Sequence, residues 1–155
     1  MNKIFFILII FLIIPNKLSS NEADIEKIKN KHNTYYEYLF KDDLKNLSKL
    51  FNFPAVFKGF VKEIQIANNQ QDIINIYDKL IKAAPQSKFA SNGRDYTEIN
   101  TELESKLVFK MRDDTYLLIA KYTQKDKKDN SIIFSGSASY LFTKNNEDWL
   151  LSGVF

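Results

Sequence analysis

The sequence closes on SGSASYLFTKNNEDWLLSGVF, and its last segment is apolar right up to Phe155. No run of Lys or Ser follows the final large residues. An apolar strand of this kind is stable only when its edges are paired and a face is covered. The expectation is therefore that the terminal stretch lies inside a sheet or along its packed part. Strict alternation would point Trp149 and Leu151 to one face and Leu150, Ser152 and Val154 to the other.

The preceding chain supplies neighbours for that strand. TEINTELESKLVFK, TYLLIAKYTQ and SIIFSGSASYLFT read as strands, with MRDD, KDKKDN and KNNE as short polar hairpin loops between them and the last strand. QKDKKDN reads as a solvated hairpin tip. Further upstream the period changes. In NEADIEKIKNKHNTYYEYLF, the residues Ile25, Ile28, His32, Tyr35 and Leu39 form one stripe of an amphipathic helix, with Asn21 as its N-cap. KDDLKNLSKLF predicts a short second helix capped by Asp42 or Asp43, with Leu44, Leu47 and Leu50 or Phe51 buried. Pro54 ends helical character and starts a short strand through Val56 and Phe57. VKEIQIA reads as a second strand. NNQQDIINIYDKLIKAAP gives a third helix, with Asn69 near its cap, Ile73, Tyr77, Leu80 and Ile81 on one face, and Pro85 stopping it. The fold class expected is α+β: a strongly curved antiparallel sheet with three helices packed on its concave face.

At the other end, Lys3 precedes an unbroken apolar run over residues 4–14, followed by Pro15 and small polar residues. That run falls short of the roughly 20 residues a spanning helix needs and suits a secretory signal. Residues 1–20 are read as a signal peptide and residues 21–155 as one domain, exported to a periplasm or secreted. An uncleaved N-terminal anchor is the alternative. The chain has no cysteine, so neither disulfides nor a lipid-modified cysteine is available, and stability rests on one hydrophobic core. The formal net charge is +3, of which Lys3 and Lys17 lie in the leader. The remaining lysines are interspersed with Asp and Glu, and no one-signed patch suited to nucleic acid is visible.

Taken in order, the helix pair, LFNFPAVF, DIINIYDKLIKAAP and the ending YLLIAKYTQKDKKDNSIIFSGSASYLFTKNNEDWLLSGVF resemble the NTF2-like superfamily. That is the cone-shaped α+β fold shared by SnoaL-like polyketide cyclases and ketosteroid isomerases. The likeness covers nearly all of residues 21–155 and lies in hydrophobic patterns rather than catalytic signatures. It implies a pocket between the concave sheet and the helices, and a tendency to dimerise through the sheet's outer face. It does not imply an enzyme, because fold does not settle function. Isomerase chemistry of this type needs a carboxylate base at the end of the first strand. That position falls here at Lys58 or Gly59, neither of which can serve, although Tyr35, Tyr36 or Tyr38 could supply a donor.

His32 is the only histidine. It could act as an acid, a base or a ligand-orienting donor, or be a core-edge histidine bonded to a tyrosine or a carbonyl. A zinc site of ordinary ligand type is not available, and no metal or cofactor is expected. The pairs Asp42–Asp43, Asp113–Asp114 and Glu147–Asp148 read as a helix start and hairpin loops. The serines of SGSAS sit on a strand without the sharp turn of a nucleophile elbow. What remains is aromatic. His32, Tyr35, Tyr38, Phe57, Tyr77, Tyr122, Tyr140 and Trp149 are the candidate pocket residues, with plain core packing as the competing account. Period alone leaves open which face of the strands carrying Tyr122 and Tyr140 is concave. The sequence thus points to an exported domain that binds a small apolar or mixed-polarity molecule without catalysis, or that forms a homodimer. The alternatives are a cyclase, isomerase or hydratase acting on a small hydrophobic substrate, and an accessory protein-interaction domain.

Overall fold

The structure is a computed structural model, and it describes residues 20–59, 63–83 and 99–155. Residues 1–19 of the proposed signal segment, Val61 and Lys62 of the second strand, and Pro85 lie outside the described residues. Among those described, no helix is long and apolar enough to cross a membrane.

Two helices come first, α1 (Ser20–Phe40) and α2 (Leu44–Ser48), then strands β1 (Phe51–Phe57) and β2 (Gln65–Ala67), and then helix α3 (Gln70–Ala83). Four more strands follow: β3 (Ile99–Arg112), β4 (Thr115–Asp126), β5 (Ile132–Asn145) and β6 (Asp148–Val154). They form one curved, unclosed sheet in the order β2-β1-β6-β5-β4-β3. The expected meander of β3 to β6 is present and antiparallel. The sheet as a whole is mixed, because β1 runs parallel to β6.

Strand β6 lies in the interior of the sheet, as its composition demanded. On one side it pairs with β5, and on the other the Leu151 amide donates to the Leu50 carbonyl at 2.9 Å. Phe155 and Ser139 exchange amide–carbonyl bonds of 2.8 and 2.9 Å just beyond the last strand residue. The facing of β6 departs from strict alternation. Leu141 pairs with Gly153 while Phe142 pairs with Leu151, so Ser152 is an extra residue on β6. Such a bulge shifts the facing by one position. Val154 therefore joins Trp149 and Leu151 in the core instead of facing away from them.

Several local expectations are corrected by the backbone. Helix α1 already includes Ser20, so Asn21 is inside the helix rather than its cap, and its side chain accepts a 2.6 Å bond from the Tyr116 hydroxyl. Asp43 caps α2 by accepting from the Asn46 amide. Strand β1 begins at Phe51, three residues before Pro54. It ends before Gly59, whose φ of +96° suits a residue without a side chain and whose backbone sits against that of Phe155. Among the described residues of the second strand, Gln65–Ala67 is extended, and Ile64 and Ile66 are exposed. At α3 the Asn69 side chain accepts from the Asp72 amide, as a cap should, and Ile76 joins Ile73 and Tyr77 in the core.

Helix α1 is fastened to the sheet along its length. Asp24 accepts from the Trp149 indole at 3.0 Å, Lys31 pairs with Asp148, and the Tyr36 and Tyr140 hydroxyls share a 2.7 Å bond. Trp149 is fully buried, with its ring against Tyr116 at 5.0 Å. Trp149→Ala should cost about 3–5 kcal/mol, a large part of the roughly 5–15 kcal/mol such a domain has. Leu150→Ala, on the half-buried opposite face, should cost clearly less. Urea denaturation monitored by circular dichroism checks the pair, and equal losses would contradict the placement of β6.

Candidate functional site

The concave face of β4 and β5 follows from alternation. Tyr116, Leu118, Ala120, Tyr122 and Gln124 lie on one side of β4. They stand opposite Phe142, Tyr140, Ala138, Gly136 and Phe134 of β5. The middle of this face is floored by Ala and Gly, while aromatic rings stand at either end. Helix α1 lies over the inner end, where its stripe brings down Ile28, His32 and Tyr35.

His32 has no exposed surface. Its ring meets Tyr140 edge-on at 4.4 Å and Tyr36 at 5.0 Å, and stacks more loosely on Tyr35 at 6.2 Å. Neither ring nitrogen has a hydrogen-bond partner. The expectation of a core histidine bonded to a tyrosine or carbonyl is thus not met, which is unusual because buried polar groups are nearly always paired. Burial, aided by the nearby Lys106 ammonium, pushes the imidazole pKa down to about 3, so His32 is neutral at physiological pH. Lys106 reaches across from β3 to the Asn33 side chain. Its own proton affinity is lowered by burial and by Lys29.

The tyrosines are paired with one another. Tyr35 and Tyr77 share a 2.8 Å bond that links α1 to α3, and Tyr36 and Tyr140 share the 2.7 Å bond noted above. Burial raises the pKa of all four hydroxyls. They are protonated donors and acceptors rather than proton-transfer groups.

Of the residues singled out from the sequence, His32, Tyr35, Tyr77 and Tyr140 come together in this interior. Phe57 adds an apolar wall behind Tyr77, with ring centroids 5.9 Å apart. Tyr122 is on the same concave face but further out, tilted against Phe134. Trp149 packs at the opposite end with Tyr116. Tyr38 is on another flank of α1, where with Lys27, Thr34 and Leu50 it lines an open surface groove of about 410 Å³. Two residues beyond the sequence-based candidates also face this interior: Tyr36 of α1, bonded to Tyr140, and Gln124, which ends the strand TYLLIAKYTQ and opens the polar run QKDKKDN. Extending the alternation that starts at Tyr116 would have placed Gln124 inward. Lys58, at the position of the isomerase-type base, is exposed. Asp113 pairs with Lys110 and Asp148 with Lys31 on the surface. Among the described residues no three His, Cys, Asp or Glu side chains are grouped to hold a metal.

These features define an NTF2-like, cystatin-like α+β cone. Three solved structures show the likeness. A protein of unknown function from Nostoc punctiforme superposes with a TM-score of 0.60 and 14% identity, covering 88% of this chain and 90% of that one. An NTF2-like protein from Novosphingobium aromaticivorans gives 0.58 and 14%, covering 85% and 79%. A Streptomyces avermitilis protein, provisionally named a dehydratase of the NTF2-like family, gives 0.60 and 14%, covering 87% and 95%. At these identities the likeness concerns the fold. No family model matches the sequence, and no curated protein matches it either.

The sign of the pH dependence at His32 follows from its lowered pKa. The unfolded chain binds a proton near the ordinary value of 6.5, whereas the folded chain resists it down to about 3. The stability contributed by a neutral His32 is complete above that ordinary value and is lost as pH falls through the window between the two. The slope there is at most about 1.4 kcal/mol per pH unit. Acidification over this window should destabilise the native protein more than the His32→Phe variant, as read from urea midpoints. Parallel losses would show that His32 does not titrate this way.

Proposed function

We propose that this protein is a non-catalytic binder of a small molecule of mixed polarity, held in the concave interior between α1 and strands β4 and β5. The observation that carries this reading is His32, fully buried with both ring nitrogens unpartnered among protonated tyrosine hydroxyls. An unpaired buried polar group costs on the order of 1–3 kcal/mol, and a ligand that bonds to it would recover that cost. Catalysis is the weaker alternative. A general base works best with a pKa near the operating pH, yet His32 is shifted down and the tyrosines up. No carboxylate bonds to His32, Tyr35, Tyr36 or Tyr140 among the described residues, so the dehydratase name of the Streptomyces relative is not carried over. Because His32 is the only histidine, its imidazole proton resonances report on this site alone. A fragment screen followed on those resonances should find small aromatic or alicyclic compounds with a polar group that shift them saturably. A folded protein whose His32 resonances no fragment moves would defeat the reading.

A separate observation favours self-association. On the convex face, Ile66, Val56, Gly153, Leu141, Leu117 and Phe109 stand in register as one row across all six strands. Ile66 is 58% and Phe109 47% exposed, and Leu107 beside it is 50% exposed. A continuous apolar row on a sheet face is the kind of surface that associates, and a twofold contact between copies is its simplest cover. Sedimentation velocity should show a dimer that Phe109→Glu converts to monomer with unchanged circular dichroism. A native protein that is monomeric at all concentrations would remove this reading.

A further inference from the structure

Strand β3 is one edge of the sheet, and among the described residues no strand pairs with its outer side. It runs for 14 residues, and such an edge presents a row of unpaired N–H and C=O groups that another strand can take up. Exposed apolar surface gathers on the same strand. Leu107, Phe109 and Met111 are 50%, 47% and 59% exposed. The middle of the convex row is less available, since Val56, Leu141 and Leu117 are half-buried and the Phe155 ring lies over Gly153. Ile66 closes the far end of the row, but on a strand of three residues. Association at the β3 edge therefore buries the most apolar surface and pairs the most backbone.

The charges of β3 restrict what can pair there. Its first half carries Glu102 and Glu104, and its second half Lys106, Lys110 and Arg112. An antiparallel copy can set one half against the other. Paired residues must face the same side of the sheet, so a twofold register is centred on a residue. Centred on Lys106, two ammonium groups meet; on Val108, Lys106 meets Lys110; on Phe109, Lys106 meets Arg112. Like charges directly opposite are destabilising. A centre at Ser105 brings the irregularity between Leu103 and Ser105 to the axis. Centred on Leu107, the register brings Glu104 to Lys110 and Glu102 to Arg112. It also sets Leu107 against itself, with Phe109 diagonal to it on the convex face. The stretch from Ser105 to Lys110 around that centre is free of bulges. Resting on the reading that this chain self-associates, we infer that its partner is a second copy joined through β3, antiparallel about Leu107, so that the two sheets become one. Backbone bonds and the contacts of Leu107 and Phe109 hold the copies together. The charge pairs set the register more than the strength, because Glu102 and Lys110 already hold Lys125 and Asp113 within each copy.

Because the chain has no cysteine, an introduced thiol can link only to its counterpart in another copy. Leu107→Cys should give a disulfide-linked dimer from most of the protein under mild oxidation, since directly opposed residues lie about 4.5–5.5 Å apart at Cβ, close to disulfide reach. Ser105→Cys should not link to itself, because in this register the two copies of residue 105 are offset by about 13 Å along the strands. It should link to Phe109→Cys once subunits of the two variants are mixed. On the native chain, hydrogen exchange of the β3 amides should slow as concentration rises through the association seen by sedimentation velocity. That measurement needs no variant and decides the contact even if Leu107→Cys fails to fold. A native dimer whose β3 amides exchange equally at every concentration, and in which neither Leu107→Cys nor the mixed pair links, overturns the β3 contact and leaves self-association standing. Efficient linking of Ser105→Cys to itself overturns the register about Leu107. A native protein that is monomeric at all concentrations overturns both readings.

Discussion

The structure depends on β6 having a partner on each edge and a covered face. Leu151 is bonded toward β1, the strand also pairs with β5 on its other edge, and Trp149, Leu151 and Val154 face the core. Without β6, β1 and β2 would lose their backbone pairing to the meander, since the sheet order passes through it. The helices depend on it as well. Asp24 and Lys31 of α1 hold side chains of β6, so the helix that covers the concave face is anchored at the strand that completes it. The Ser152 bulge is a small feature with a large effect. It brings Val154 beneath the helices rather than leaving it outside.

The same register sets the character of the interior. At the inner end, rings from α1, α3, β1 and β5 meet within about the spacing aromatic pairs prefer. Tyr35 and Tyr77, and Tyr36 and Tyr140, satisfy one another's hydroxyls. Further out the sheet presents Ala120, Ala138 and Gly136, with the Phe134 ring and the Tyr122 hydroxyl lying over the glycine. His32 and Gln124 flank this transition, each buried and each missing a partner. A core selected for stability alone would place apolar side chains there, because an unpaired buried group is more costly than an apolar one of similar shape. In the proposed reading these unpaired groups distinguish a ligand-binding interior from plain packing, and Trp149, bonded to Asp24 and fully buried, is therefore left out of the site.

Much of the fold was legible because it is written in period. The stripe of α1, the cap at Asp43, the three hairpin loops and the interior character of the last segment all follow from local pattern and turn chemistry. What escaped depends on non-local pairing. Nothing in LFNFPAVF says that β1 runs parallel to β6, and a one-residue bulge at Ser152 leaves no mark that alternation can read. Exposed Ile64 and Ile66 were read as ordinary strand residues because sequence does not reveal which face of an edge strand is covered. In the site, His32 and the inner tyrosines were visible as a helical stripe plus strand aromatics. Gln124 was not, since its neighbours Lys125 to Asn130 are charged and polar, and only the strand's continuation past Tyr122 carries it inward.

Native-state hydrogen exchange at the chain terminus tests the account most directly. If β6 is interior, the amides of Leu151 and Phe155 should exchange only through global unfolding, with protection matching the free energy from urea denaturation. Terminal residues normally exchange fast. Rapid exchange of both amides in a folded protein would mean that the last strand is an edge or a loose end, and the concave face built upon it would lose its support.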